Sequence, residues 1–179
     1  MNIFYLSKDP EECARWMVDK HVVKMILETA QLLSTAHRVL DGEMTVKTVN
    51  GRKKKVYVLD DEINEVLYSA THINHPSAIW ARQTEGNYQW LHRHLVALLS
   101  EYTFRYGKLH AVETKGIARQ LWYPPMKIKQ SNRTPMPSCM DEEYRISDDP
   151  VTNYRNYYKI GKAHLHNWKK RQPPDWIAA

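Results

Sequence analysis

At 179 residues, 42% hydrophobic and 11% aromatic, the chain has enough apolar side chain to close one core, which excludes a disordered tail. Lysine and arginine outnumber aspartate and glutamate by 26 to 20, a net charge of +6, so the surface attracts polyanions and nucleic acid leads the candidate partners. No apolar run approaches the roughly 20 residues of a membrane span and no signal peptide opens the chain, and the only cysteines, Cys13 and Cys139, fit free thiols in a reducing cytoplasm.

The elements follow from local signals. Asp9 can cap a helix that Pro10 begins and Glu11 and Glu12 favour, and this helix is expected to run, in one or two pieces, to Leu40 before Gly42 stops it. Residues 44–49 and 53–59 are β-rich runs around Asn50-Gly51, the strongest short hairpin signal, and form a basic arm carrying Lys47, Arg52, Lys53, Lys54 and Lys55. Asp60 can cap a helix to about Ala70, and residues 71–76 break it because Pro76 pushes His75 out of helical backbone. Apolar residues at helical spacing from Thr84 through Leu91, Leu95, Leu98 and Tyr102 predict a long helix ended by Gly107. Pro124, Pro125, Pro135 and Pro137 mark residues 122–141 as a surface loop. Asp149-Pro150 repeats the opening device, and the last helix is expected to pass Trp168 toward Pro173. The fold class is therefore mostly α: a compact, single-domain helical bundle, residues 1–179, with one small β-hairpin insertion.

On a helical wheel, residues 21–40 place Val22, Val23, Met25, Ile26, Leu27, Ala30, Leu32, Leu33, Ala36 and Leu40 around most of the circumference, so this helix is expected to be central. The remaining arc holds Lys24, Glu28, Gln31, Thr35 and Arg38, with His21 at its edge. Such a stripe lines either a salt-bridged seam or a cleft, because unpaired buried charge is costly. Glu28 beside Lys24 is an ordinary helical ion pair on the first reading and acid/base equipment on the second.

Elsewhere the signals are weaker. His72 and His75 lack a third ligand, so no metal or other cofactor is expected, and His75 is read as a hydrogen-bonding turn at the cleft rim. His92 and His94 face different ways on their helix. Arg82 is equally a phosphate contact or a solvated side chain. The carboxyl end interleaves aromatics with cations, a pattern that stacks on bases and neutralises phosphates, and Arg155, Tyr158, Lys159 and Lys162 are its candidate DNA contacts.

Asp19-Lys20-His21 followed by Glu28, with His75, residues 87–107 and Tyr154-Arg155-Asn156-Tyr157-Tyr158-Lys159 in order, resembles the phage pyrimidine-dimer DNA glycosylase/AP lyase family of the endonuclease V type. The resemblance covers 60 to 70 residues and implies a compact helical enzyme that binds DNA and flips a nucleotide; double-stranded DNA is the expected partner and a monomer the expected state. It further implies that the terminal amine, here Met1, attacks the sugar, that Glu28 is the catalytic carboxylate, and that His21 contacts DNA near the lesion. The family's arginines flanking the glutamate are replaced here by Leu27 and Gln31, and Asn2 is a poor signal for methionine removal. Two further readings stay open: a transferase that decorates a modified pyrimidine in phage DNA, for instance with an amino acid, and a DNA-binding protein whose stripe is structural. Glu28, His21 and Met1 are the catalytic candidates; Lys24, Gln31, Arg38, His75 and Arg82 join the carboxyl-terminal group as candidate DNA contacts.

Overall fold

Asp9 starts α1 (Pro10–Trp16) by accepting the amide protons of Glu11 and Glu12, while Pro10 fills the first helical position, where no amide partner is needed. A computed structural model describes residues 1–49 and 51–178. α1 ends because Met17 and Val18 take extended backbone and bury completely. The guanidinium of Arg105, itself fully buried, donates to the carbonyls of Arg15 and Met17 there, satisfying acceptors that a helix end leaves open. It also pairs with Asp19 at 2.8 Å and Glu101 at 2.7 Å.

α2 (Asp19–Leu40) has no side-chain cap of its own. Its first amide, of Asp19, donates instead to the carbonyl of Asn167, and the Asp19 carboxylate accepts from the Lys169 amide and the Asn167 side chain. The antiparallel hairpin follows as β1 (Glu43–Val49) and β2 (Arg52–Val58), with Glu43 opposite Val58 and Lys47 opposite Lys54. Asn50 of the expected turn lies outside the described residues; Gly51 holds φ at 74°, the left-handed backbone such a turn requires. Lys47, Arg52, Lys53, Lys54 and Lys55 are all exposed.

The remaining helices are α3 (Asp61–Val66), α4 (Pro76–Gln83), α5 (Glu85–Tyr106), α6 (Ala111–Thr114), α7 (Ile117–Gln120) and α8 (Pro150–Ile160). Thr84 caps α5 by accepting the Asn87 amide, and Gly107 closes it in left-handed backbone. α5 packs against α1, α2 and α4, and its Leu91, Leu95 and Leu98 share the buried core with Val22, Ile26 and Leu33 of α2. Each such side chain contributes about 1.5–3 kcal/mol through burial. The loop at 122–141 is fastened rather than free: Thr134 exchanges hydrogen bonds with Asn87, and Asp41 accepts the amides of Met126 and Lys127. No helix of the described residues is long and apolar enough to cross a membrane.

Two boundaries differ from the sequence reading. α3 stops at Val66, short of Ala70, because the carbonyls of Asn64, Leu67 and Tyr68 turn to the buried Arg38 guanidinium. α8 stops at Ile160, well before Trp168. The segment beyond it turns through a 3-10 helix at Ala163–Leu165 and then leaves helical backbone, which lets Asn167 cap α2 and brings the Trp168 indole N–H to the Trp16 carbonyl at 2.9 Å.

Candidate active site around Glu28

The first six residues are held in place before any chemistry is considered. Ile3, Phe4, Tyr5 and Leu6 are buried, as their apolar character demands. Asn2 Oδ1 accepts the amides of Ile3 and Phe4, and Asn2 Nδ2 donates to the Cys139 carbonyl at 2.8 Å. Phe4 holds φ at 54°, a left-handed conformation that costs a non-glycine residue about 1–3 kcal/mol. Its ring offsets that strain by stacking on His21 at 4.1 Å and on Tyr157 at 6.1 Å. Cys13 Sγ donates to the Phe4 carbonyl and Arg155 Nε to that of Leu6.

This anchoring sets the amino terminus against α2. The Asn2 amide donates to Glu28 Oε2 at 3.0 Å, and Lys24 Nζ stands 3.3 Å from Glu28 Oε1. The Glu28 side chain is 14% exposed and that of Lys24 65%, so the carboxylate is sheltered while its cation faces solvent. His75 caps α4 by accepting the Ser77 amide at Nδ1. Burial holds the His75 imidazole below its usual range; the positive amino terminus and His72 push the same way, and Glu28 opposes them. Glu28, Lys24, His75 and the amino terminus thus share one electrostatic neighbourhood. Cys139 Sγ lies 3.4 Å from Ser77 Oγ at its edge. A carboxylate contacted by the first peptide unit can manage protons for a group seated beside the terminus.

The stripe divides along its length. Gln31, one turn beyond Glu28, is half-buried, whereas Thr35 is buried and exchanges hydrogen bonds with the Thr71 backbone. Arg38 spends its donors on Tyr57, Asn64, Leu67 and Tyr68, a structural seam that leaves no N–H for a phosphate. The seam reading therefore describes the carboxyl-terminal half of α2, while nearer its start Lys24 and Glu28 pair with each other beside the amino terminus. Val23 and Leu27, expected in the core, are each 40% exposed beside Lys24 and Glu28, because that face of α2 turns to solvent.

His21 does not join Lys24 and Glu28 at the surface. It is 4% exposed, stacked under Phe4, and shares a 2.6 Å hydrogen bond between Nδ1 and the Tyr158 hydroxyl. Burial, with Lys162, Lys24 and His164 adding repulsion, pushes its pKa down to about 3. The folded imidazole thus resists protonation that the unfolded one accepts near 6.5. Stability is full above that value and declines as pH falls toward 3. His94, pushed down to about 4, titrates in the same window. Melting temperatures measured from neutral pH downward are therefore expected to fall less steeply in His21→Gln than in the wild type; parallel profiles would refute this role for His21.

Tyr158 is fully buried, and Arg155 is drawn inward, its guanidinium 4.8 Å from the Trp16 ring and 5.4 Å from that of Trp176. Lys162 lies over Tyr157 at 4.7 Å, and Lys159 is half-buried on α8. Arg82 is half-buried on α4, remote in sequence from the carboxyl-terminal group. Among the described residues no three His, Cys, Asp or Glu side chains come together as a metal site. Asn2 and Cys139 were missed from sequence; only the turn-forming character of Asn2 hinted at the first, and nothing local marks the second. The family model for pyrimidine dimer DNA glycosylases matches residues 1–114. No curated protein and no solved structure matches.

Proposed function

The chain belongs to the pyrimidine dimer DNA glycosylase family, and from that premise we propose that it extrudes a damaged or modified pyrimidine nucleotide from duplex DNA and cleaves its glycosidic bond beside Glu28. In this reading the Met1 amine attacks C1′ of the sugar, the bond from C1′ to the base breaks, and Glu28 takes the proton the amine loses. Glu28 returns that proton to O4′ as the C1′–O4′ bond opens, the departing base takes a proton from water, and the resulting iminium permits strand cleavage by β-elimination, the lyase half of the activity. Lys24 and His75 flank the phosphates around the extruded nucleotide, with Gln31 on the next turn, and Lys159, Lys162 and Arg82 are further backbone contacts.

The observation that supports this most is the 3.0 Å hydrogen bond from the Asn2 amide to Glu28 Oε2, which tethers the terminus within one residue of the carboxylate. His21, Arg155 and Tyr158 support the site from beneath, since each holds Phe4, Leu6 or Val18 rather than facing solvent. Borohydride reduction during incubation with abasic and ultraviolet-irradiated duplexes is the test. The expected product is a covalent protein–DNA adduct whose peptide map places the link on the first residue. Base release with no trapped adduct would discard the amine as nucleophile, and neither release nor adduct on any pyrimidine lesion would discard the glycosylase reading itself.

A further inference from the structure

The outer face of α5 carries a second arrangement that the chemistry at Glu28 does not use. Two adjoining clefts of about 740 Å³ each run along it. One reaches Arg15, Arg93 and Arg171, the other Phe104 and Arg119, and His92, Val96 and Trp122 line both. Neither includes Glu28, Lys24, His75 or the amino terminus.

Trp122 stands between the clefts 64% exposed, touching the protein edge-on against the His92 ring at 5.4 Å. A large aromatic face left this open stands ready to stack. His92 is only 6% exposed, yet its buried Nε2 has no hydrogen-bond partner among the described residues. Burial lowers its pKa, and a hydrogen bond with the Ala118 backbone opposes that shift. A buried polar atom without a partner at the wall of a cleft is satisfied by a polar group of whatever enters.

The charges define the visitor further. Arg15 and Arg119 are exposed, and Arg93 is 63% exposed with Glu11 no closer than 4.0 Å. Glu101 is neutralised by Arg105 and Arg171, which leaves Glu11 and Glu113 against these three arginines. The combination of an aromatic face, a hydrogen-bonding edge and surplus cations fits a nucleobase with its phosphate. Duplex bases hide their faces in the stack, so the base received here is unpaired.

We propose that this face of α5 is a docking surface for single-stranded DNA, an unpaired base stacking on Trp122 with its edge at His92 Nε2 and its phosphates on Arg93, Arg119 and Arg15. It requires no catalysis at Glu28 and stands or falls separately from the glycosylase reading. The test is fluorescence anisotropy of a labelled oligothymidylate of about ten nucleotides, a length within the usual range of single-strand sites. Trp122→Ala is expected to weaken binding about tenfold and Trp122→Phe to keep most of it, as stacking dictates. Arg93→Gln and Arg119→Gln should each flatten the salt dependence by about 0.7 in logarithmic slope. Binding to an undamaged short duplex should be unchanged in all of them. Equal oligothymidylate affinity in wild type and Trp122→Ala overturns the proposal, as does an unchanged salt slope in Arg93→Gln, whose side chain lies outside the core. Competition by thymidine monophosphate at the oligonucleotide's own affinity overturns it too, because the surface would then be a free-nucleotide pocket.

Discussion

Glu28→Gln should lower turnover on a cleavable duplex by about 10²–10⁴-fold, the range of a positioned acid/base group, while leaving the fold and DNA affinity nearly intact. Glutamine keeps an oxygen to accept the Asn2 amide, so the terminus stays docked. It loses the negative charge that faces Lys24, but that lysine side chain is 65% exposed and the helical pair contributes only about 0.3–0.5 kcal/mol. Single-turnover kinetics and a melting curve on the same preparation distinguish the roles. Normal turnover would remove Glu28 from the chemistry. A melting temperature lowered by many degrees would make the Lys24–Glu28 pair a structural element of α2 instead.

The second large effect is on stability. Arg105→Met should destabilise the protein by about 3–5 kcal/mol, the cost of leaving buried charge unpaired, out of a total that for a domain is about 5–15 kcal/mol. Arg105 is fully buried, and its donors serve Asp19, Glu101 and the carbonyls of Arg15 and Met17. Methionine fills much of the volume and supplies none of the protons. Glu101 keeps Arg171 and Asp19 keeps the Lys169 amide, so the loss falls mainly on the end of α1 and its turn into α2. Thermal unfolding followed by circular dichroism reads this as a drop of about 10 °C or more. A drop of only a degree or two would mean that water enters and replaces the guanidinium, and the seam would then be less closed than its burial implies.

Much of the architecture was readable where the determinant is local. Asp9-Pro10 and Asp149-Pro150 each form an N-terminal cap, Thr84 and Gly107 bracket α5, and the break at residues 71–76 lies where Pro76 forbids helical backbone to His75. The same holds for part of the candidate site. Lys24 and Glu28 are neighbours by helical spacing, and the backbone of α2 alone brings them together.

The errors share one cause. A helical wheel states which residues share a direction and is silent on what covers that direction. Val23 and Leu27 point from α2 toward solvent, while His21, Thr35 and Arg38 point into neighbours contributed by Phe4, Thr71 and the backbone at 57–68. The ends of α3 and α8 were misjudged for the same reason, since they answer to demands made by Arg38 and Asp19 from elsewhere in the chain.

By itself, then, the sequence determined a basic, mostly helical chain with its caps, its hairpin and the Lys24–Glu28 pair, because each rests on interactions within a few residues, whose geometry the backbone supplies. Only the tertiary structure decided that Asn2 meets Glu28 across 26 positions, that Cys139 holds Asn2 across 137, and that His21 is a buried support under Phe4. Contacts at such separations are selected by how the whole core closes, since burying Ile3, Phe4 and Leu6 is what carries the terminus to α2, and no local pattern encodes that outcome.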